Sequence, residues 1–529
     1  MEPPACRQFR LYFTRNKVKT EQARNFKDMG LQLSFAKGMS ALSTWGLKYV
    51  FRRPAANFPG KLALYIDPRL IADLGRGLRK GSVVVSGTNG KTTVTHLVAS
   101  TLEAAGMEAV WNKTGANLDS GIATALLQSG EADWGVFECD ELWVAQVLPR
   151  LESDYLVLLD LFPDQLDRFG ESSVIQDSIE AALKAAPSTV FVFNADDPMC
   201  AAIAAKVGNK SIGFGIAQAP DAAEGAMAES LMCQMCSSML HYSWHQYGQL
   251  GDYDCPECGF KRPELGFSAQ GIRFEAAGLS FDAVVPPNAS SRIRAPYHGT
   301  YMVYNLLAAF AVCTLLGCPP PVFQEVLDAY DPQNGRLQEF CIGGNSILLN
   351  LAKNPTGFNQ NLMLALQDTK PKAAAFFMND REGDGRDTSW IWDVDFEALA
   401  GHDELQVFAG GIRKNDLQLR LKYAGVPAQL VENAQDVLSR CAGQRLEGGV
   451  FMIANYTALP PIREELSGIA GKKGRPAQAD AAADAATKAA ADAADGQELT
   501  GAAADAADGQ AASAAEADAA GATWDGGLK

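Results

Sequence analysis

The chain is poor in histidine: its 529 residues include five, His96, His241, His245, His298 and His402. None stands at a spacing from a serine, cysteine or acid that suggests a catalytic triad, and no convincing Cys–His pair for a glutaminase is present. Long apolar runs are missing as well. No stretch approaches the roughly 20 apolar residues a membrane helix needs, and no secretory h-region is evident. Basic charge is in deficit, with 46 Lys and Arg against 62 Asp and Glu and a net charge of −16. That balance argues against general nucleic-acid binding. What remains is ordinary globular material: 47% hydrophobic content in a chain this long can bury two or three domain-sized cores.

The charge is unevenly spread. From Ala479 to Lys529 ten acidic residues face two basic ones, and ADAADGQ occurs at 491–497 and again at 504–510. This Ala/Asp/Gly-rich segment has too little apolar surface to offset its ordering entropy and is expected to be disordered. The opposite end carries Arg7, Arg10, Arg15, Lys17, Lys19, Arg24 and Lys27. Two readings stand for it, a solvated basic extension or a weak contact with an anionic membrane surface.

Of eleven cysteines, most are scattered singly, but four form two tight pairs, Cys233-x2-Cys236 and Cys255-x2-Cys258. Two such turns facing each other supply four thiolates for a tetrahedral Zn2+, and the spacing falls within the zinc-ribbon range. A disulfide pairing or a coincidence of spacing are the other readings. The single cysteines suit a reducing compartment, which disfavours disulfides. Four thiolates leave no open coordination position, so the ribbon is expected to be structural and remote from catalysis.

Short apolar runs at 82–86, 134–138, 155–160 and 189–193 alternate with helical-looking stretches at 92–105, 119–128 and 172–186. That alternation predicts an α/β fold with a parallel sheet covered on both faces. The first run leads into Ser86-Gly87-Thr88-Asn89-Gly90-Lys91-Thr92-Thr93. Its glycines let the backbone curl so that successive N–H groups face a phosphate at a helix N-terminus. Lys91 can reach the β- and γ-phosphates of ATP, and the Thr92 hydroxyl can ligate Mg2+. The general phosphate-loop pattern has a glycine where this chain has Val85.

With that departure, the loop resembles that of the Mur ligases and folylpolyglutamate synthases, and further matches follow in family order. Glu138 stands where these ligases carry a magnesium-binding glutamate, with a buried structural acid as the alternative. Asn194-Ala195-Asp196-Asp197-Pro198 resembles a signature near the nucleotide. Gly299 and Asn305 resemble the element whose asparagine approaches the adenine, and Gly335-Arg336 resembles the pair that closes the central domain and contacts nucleotide. In Asp164-Gln165-Leu166-Asp167, Gln165 replaces the usual metal-contacting histidine. With the cysteine ribbon, Asn350-Leu351-Ala352-Lys353-Asn354-Pro355 and Gly385-Arg386-Asp387-Thr388-Ser389-Trp390, the likeness narrows to the ligase-like subunits of lipid II isoglutaminyl synthases. Only about 80 residues precede the phosphate loop. That is too few for the uridine-nucleotide domain of other Mur ligases.

The resemblance implies a Mur-ligase-type ATPase domain with an inserted four-cysteine ribbon, followed by a C-terminal Rossmann-like α/β domain. The expected boundaries are a basic lead-in over 1–50, a central domain over 51–335 with the ribbon at about 229–265, a C-terminal partner-binding domain over 336–470, and the tail from 471 to 529. The implied activity is ATP-dependent amidation of the D-glutamate α-carboxylate of the lipid II stem peptide through an acyl phosphate. Ammonia would come from a GatD-like glutaminase subunit in a heterodimer. Lys91 and Glu138 would act on the phosphoryl group, with Gly87, Thr88, Asn89, Gly90, Thr92, Thr93, Asn305 and Arg336 around ATP and Thr92 and Glu138 on Mg2+. Asp387 would complete the partner's catalytic triad, although a helix cap or a nucleotide contact also fits it. The expected location is cytoplasmic, with lipid II met at the inner membrane face. A folylpolyglutamate-synthase-like ligase and a non-catalytic zinc-ribbon scaffold are the competing readings.

Overall fold

The computed structural model describes residues 26–45, 57–113, 115–129, 132–162, 172–218, 232–275, 278–285, 289–297, 299–330, 337–366, 369–381 and 384–470. The basic segment before residue 26, Asp164–Asp167, Gly335–Arg336 and the acidic tail therefore lie outside the described residues.

The chain opens with helices α1 (Phe26–Trp45), α2 (Phe58–Ile66) and α3 (Leu70–Gly75). A run of strand–helix units follows: β1 (Leu78–Ser86), α4 (Lys91–Ala104), β2 (Ala109–Trp111), α5 (Asp119–Gln128), β3 (Ala132–Glu138), α6 (Val144–Leu151), β4 (Tyr155–Leu158), α7 (Ser172–Ala185), β5 (Val190–Asn194), α8 (Pro198–Lys206) and β6 (Ser211–Ile216). Next come a short ribbon, β7 (His241–His245) and β8 (Gly251–Asp254), and a meander, β9 (Leu265–Glu275), β10 (Gly278–Val285) and β11 (Ala289–Ala295). Helices α9 (Thr300–Leu315) and α10 (Pro320–Asp328) complete this half.

One nine-stranded sheet runs β11-β10-β9-β6-β5-β4-β1-β3-β2. It is parallel from β2 through β9, whereas β10 and β11 add an antiparallel edge. The apolar run of β1 is continuous because both faces are covered. Val83 and Val85 join Val94, Val98 and Leu306 in the core on one side, while Val84 joins Ile122, Leu148 and Phe193 on the other. The meander was not foreseen, although Leu279-Ser280-Phe281-Asp282-Ala283 alternates apolar and polar residues as a half-buried strand does, because it carries no chemical motif.

The second half has its own six-stranded sheet, ordered β12-β13-β17-β14-β15-β16. Its elements are β12 (Gln338–Ile342), β13 (Asn345–Leu351), α11 (Pro355–Ala365), β14 (Lys372–Phe377), two 3-10 turns (Ser389–Asp393 and Phe396–Leu399), β15 (Leu405–Gly410), α12 (Lys414–Tyr423), β16 (Ala428–Leu430), α13 (Ala434–Arg440), β17 (Val450–Ala454) and α14 (Leu459–Ala470). Only the edge pair β12–β13 is antiparallel. No helix among the described residues is long and apolar enough to cross a membrane.

Candidate functional site

The site lies at the carboxyl ends of β1, β3 and β4, where open α/β sheets bind ligands. After β1 the backbone turns through Gly87 (φ +135°) and Gly90 (φ +82°) into α4. Both positions exclude a side chain. A Cβ on Gly87 would lie 2.9 Å from Leu159, and one on Gly90 would lie 2.0 Å from Asn305 Oδ1. Asn305, on α9, therefore sits directly on the loop. Thr88 is buried: its Oγ1 donates to Phe162 O (3.1 Å) and accepts from Phe162 N–H (2.9 Å).

Lys91 is the first residue of α4 and is buried. Its ammonium donates to the Gly87 carbonyl and pairs with Glu141 Oε1 at 3.0 Å. Burial alone would lower its pKa, but the carboxylates of Glu141, Asp140 and Glu138 outweigh that and hold it above its ordinary value. Thr92 Oγ1 donates to Glu138 Oε2 over 2.7 Å, at the end of β3. The Glu138 backbone is clamped by Asn112, which exchanges hydrogen bonds of 2.9 and 2.8 Å with it. Thr93 follows on the first turn of α4.

Two participants were not foreseen, and a third, Asn354, stood in the Asn350–Pro355 motif without a role. Glu141 lies three residues after Glu138 and carries no motif, yet it is the counter-ion of Lys91; burial outweighs the opposing attraction of Lys91 and pushes its pKa up. Asp160, just past β4, accepts the Asn89 N–H at 2.8 Å, and burial pushes its pKa up to about 8. Asn354 caps α11 by accepting the Gly357 N–H (2.7 Å) and also donates to Asn89 Oδ1 at 3.3 Å. That last bond joins the second half to the phosphate loop. The neighbouring Lys353 lies close enough to Glu141 to oppose the rise in its pKa.

The four cysteines come together as their spacing predicts. Cys233 Sγ lies 3.5 Å from Cys258 Sγ, and Cys236 Sγ lies 3.5 Å from Cys255 Sγ. All four sulfurs fall within 4.8 Å of one another. A tetrahedral zinc with bonds of about 2.3 Å needs sulfurs roughly 3.8 Å apart, so the cluster fits such an ion. Each pair sits in a knuckle closed by a left-handed residue, Ser237 (φ +62°) after the first and Gly259 (φ +74°) after the second. The ribbon histidines are engaged elsewhere, His241 with Asp254 and His245 with the Gly248 carbonyl.

The ribbon is not remote from the loop, contrary to expectation. Its β7–β8 tip, residues 246–250, reaches the segment after β4. Gln249 Nε2 donates to Leu161 O at 2.8 Å and to both carboxylate oxygens of Asp197 at 3.2 Å. Asp196 accepts from Ile216 N–H (2.8 Å), Tyr304 OH (2.8 Å) and Arg262 (3.0 Å). Its backbone carbonyl accepts the Gly251 N–H at 3.0 Å. Burial pushes the Asp196 carboxyl up to about 6 despite Arg262. The Asn194–Pro198 turn is thus a socket for the ribbon. Cys139 is buried and its thiol pKa is raised well above normal by that burial, which suits a packing role.

Asp387 stands apart, exposed on the second half, where its carboxylate accepts the Ser389 N–H at 2.8 Å. That hydrogen bond holds its pKa below the usual range. Its neighbours are committed: Asp380 pairs with Arg413 at 3.2 Å, and buried Asp384 accepts from both the amide and the hydroxyl of Thr457. Arg336 lies outside the described residues.

Residues 85–250 match the Mur ligase middle domain family, and residues 351–459 match the MurT ligase C-terminal family. The MurT subunit of the glutamine-hydrolyzing lipid II isoglutaminyl synthase of Staphylococcus aureus (strain COL) is 32% identical over 415 residues, 78% of this chain and 92% of that protein. Its counterpart in Streptococcus pneumoniae (strain ATCC BAA-255 / R6) is 30% identical over 419 residues, 78% of this chain and 92% of that protein. The structure of MurF ligase from Thermotoga maritima in complex with ADP is alike in fold, with a TM-score of 0.56 at 14% identity over 80% of this chain and 85% of that one.

Proposed function

This chain belongs to the Mur ligases, in their MurT branch, and from that premise we propose that it is the ligase subunit of a lipid II isoglutaminyl synthase. The reaction is amidation of the D-glutamate α-carboxylate of the lipid II stem peptide. The carboxylate takes the γ-phosphoryl of ATP, ADP leaves, and ammonia then displaces phosphate from the acyl phosphate. The observation that carries the reading is the Lys91 ammonium at the start of α4 with Thr92 and Glu138 joined at 2.7 Å beside it. That arrangement lies in a chain of which 78% aligns with 92% of the Staphylococcus aureus MurT subunit.

ATP enters as a substrate. Lys91 and the unpaired N-terminal amides of α4 neutralise charge on its phosphates, because fixed donors in a dry site need no reorganisation during reaction. Thr92 and Glu138 are the residues that would hold Mg2+, which when bound offsets charge on the transferring group. Gly87 and Gly90 keep the loop backbone close to the phosphates, and Thr88 and Asn89 hold the loop to the segments that follow β4 and β13. Thr93 extends the first turn of α4, and Asn305 covers the loop from above. Arg336 is assigned to the nucleotide by its motif alone. Zn2+ is the ion we assign to the four cysteines, in a structural role.

Ammonia comes from a GatD-like glutaminase in a heterodimer. Asp387 completes that partner's Cys–His pair by orienting its histidine, as a triad aspartate does. Its exposure supports this, since Asp380 and Asp384 are both occupied within the chain. The work takes place in the cytoplasm, at the inner membrane face where lipid II is anchored.

The test supplies the purified chain with ATP, magnesium, lipid II and ammonium. ADP and the stem-peptide amide should form in equal amounts, as read by chromatography and mass spectrometry. ATP turnover without amide, or no turnover at all, would overturn the assignment.

A further inference from the structure

Helices α1 and α2 seat small residues against the core beside Leu33, Leu64 and Ile66, and leave four large apolar residues exposed. Ala36, Gly60 and Ala63 face inward. The fit is close: a Cβ on Gly60 would lie 1.9 Å from the Ser120 carbonyl, and the Gly60 N–H donates to Thr124 Oγ1 at 2.9 Å. The outer face of α1 carries Phe35 and Leu42, 61% and 60% exposed, and that of α2 carries Phe58 and Tyr65, 56% and 87% exposed. Phe35 and Leu42 are seven residues apart, as are Phe58 and Tyr65, so each pair lies on one side of its helix. Lys37 and Lys61 are exposed on the same helices. Among the described residues from 32 to 69, Asp67 is the one acid, and it is buried.

A helix packed against a core normally turns charged residues to water. Here the outer face is aromatic and aliphatic, with exposed Lys61 between Phe58 and Tyr65 on α2, in a chain whose net charge is −16. Residues 1–69 hold thirteen Lys and Arg against four Asp and Glu, so this end opposes the charge of the whole. Aromatic rings with scattered lysines are the composition that settles at a membrane–water boundary, the rings entering the headgroup layer and the ammonium groups meeting anionic lipid. We propose that the outward face of α1 and α2, centred on Phe35, Leu42, Phe58 and Tyr65 with Lys61, docks on an anionic bilayer. The inference deepens the reading above by naming the surface that meets the membrane bearing the substrate.

The experiment is flotation of the full chain with vesicles of phosphatidylglycerol or of phosphatidylcholine, without lipid II. The chain should float with the anionic vesicles, and less so as salt screens the lysines. Phe35→Ser/Phe58→Ser/Tyr65→Ser should cut partitioning tenfold or more and, separately, Lys61→Glu should cut it several-fold, while circular dichroism stays unchanged. No flotation of the parent chain, or undiminished flotation of both variants, overturns the proposal. So does sedimentation showing a parent dimer that the serine variant splits, which would make the face a contact between copies. Ammonium-driven amidation of a water-soluble short-chain lipid II analogue, run in parallel, should be unaffected by either variant. Its absence in the parent chain would defeat the functional reading, while flotation would still decide the docking surface.

Discussion

Tyr247, at the tip of the cysteine ribbon, stacks on Phe162 with ring centroids 5.8 Å apart and 29° between planes. Phe162 in turn holds the phosphate-loop residue Thr88 through two backbone hydrogen bonds of 2.9 and 3.1 Å. Gly248 permits the approach, since a Cβ there would lie 2.3 Å from the Phe162 ring. The ribbon therefore braces the loop through one aromatic pair and one buried amide, Gln249.

Tyr247→Ala should raise the KM for ATP about three- to tenfold with a smaller change in kcat, because a stacked pair contributes about 0.5–1.5 kcal/mol. Tyr247→Phe keeps the stack and should behave as the parent. Steady-state kinetics on both variants decide the matter. Equal effects of the two would assign the role to the hydroxyl instead.

Zinc should couple to nucleotide binding by the same route. Cys255→Ser should lower the zinc content, the melting temperature and the ATP affinity together, because metal coordination stabilises the small insert directly. A zinc-free variant with unchanged ATP affinity would leave the ribbon as a folding element only.

Lys91→Ala should abolish ATP turnover with the fold intact. Removing a charge aimed at a transferring phosphoryl costs on the order of 3 kcal/mol or more, roughly a hundredfold in rate. Glu141→Gln removes the counter-ion of Lys91, so the ammonium is held less firmly before ATP arrives. Its expected signature is a changed KM for ATP with turnover retained.

Asp387→Asn should leave the complex with the glutaminase intact. It should lower glutamine-driven amidation far more than amidation driven by ammonium, since a triad aspartate serves only the first. Equal loss with both nitrogen sources would move Asp387 into the synthetase site. No loss with either would make it simply the cap of the Ser389–Asp393 turn.

Asp160 gives a pH dependence whose sign is fixed. Its folded pKa, about 8, lies above the ordinary 3.8, with burial as the largest cause. The folded state thus binds this proton more tightly, and the associated stability is present below about pH 4 and is lost as pH rises toward 8. Asp160→Asn keeps an oxygen for the Asn89 N–H and removes the titration. In urea unfolding of the nucleotide-free protein, the fall in stability between pH 5 and pH 8 should be shallower for the variant. Parallel curves would mean that Asp160 does not titrate in this range.

Much of the fold and site was legible in amino-acid order because the signals are local. The apolar run of β1 and the glycines after it specify a strand, a tight turn and a helix within some twenty residues, and the structure has β1, the loop and α4 there. The two cysteine pairs likewise carry their own turn geometry, so four sulfurs could be grouped before any coordinates. Glu138 was grouped with Lys91 and Thr92 by the family resemblance, and the structure brings them together because the strands that lead to them adjoin in a parallel sheet, β1 beside β3.

What tertiary structure decided are contacts between residues that share no motif. Glu141 pairs with a lysine 50 positions away, Asn354 reaches Asn89 across 265, and Gln249 reaches Leu161 across 88. No period or spacing encodes such pairs, because they depend on how separately formed layers pack. The outward aromatic face of α1 and α2 belongs here too. Residue type alone does not tell that Phe35 and Tyr65 are exposed while Ala36 and Ala63 beside the core are buried. Local chemistry follows from neighbours in the chain, whereas burial and long-range pairing follow from which surfaces meet, and that is settled only when the whole chain folds.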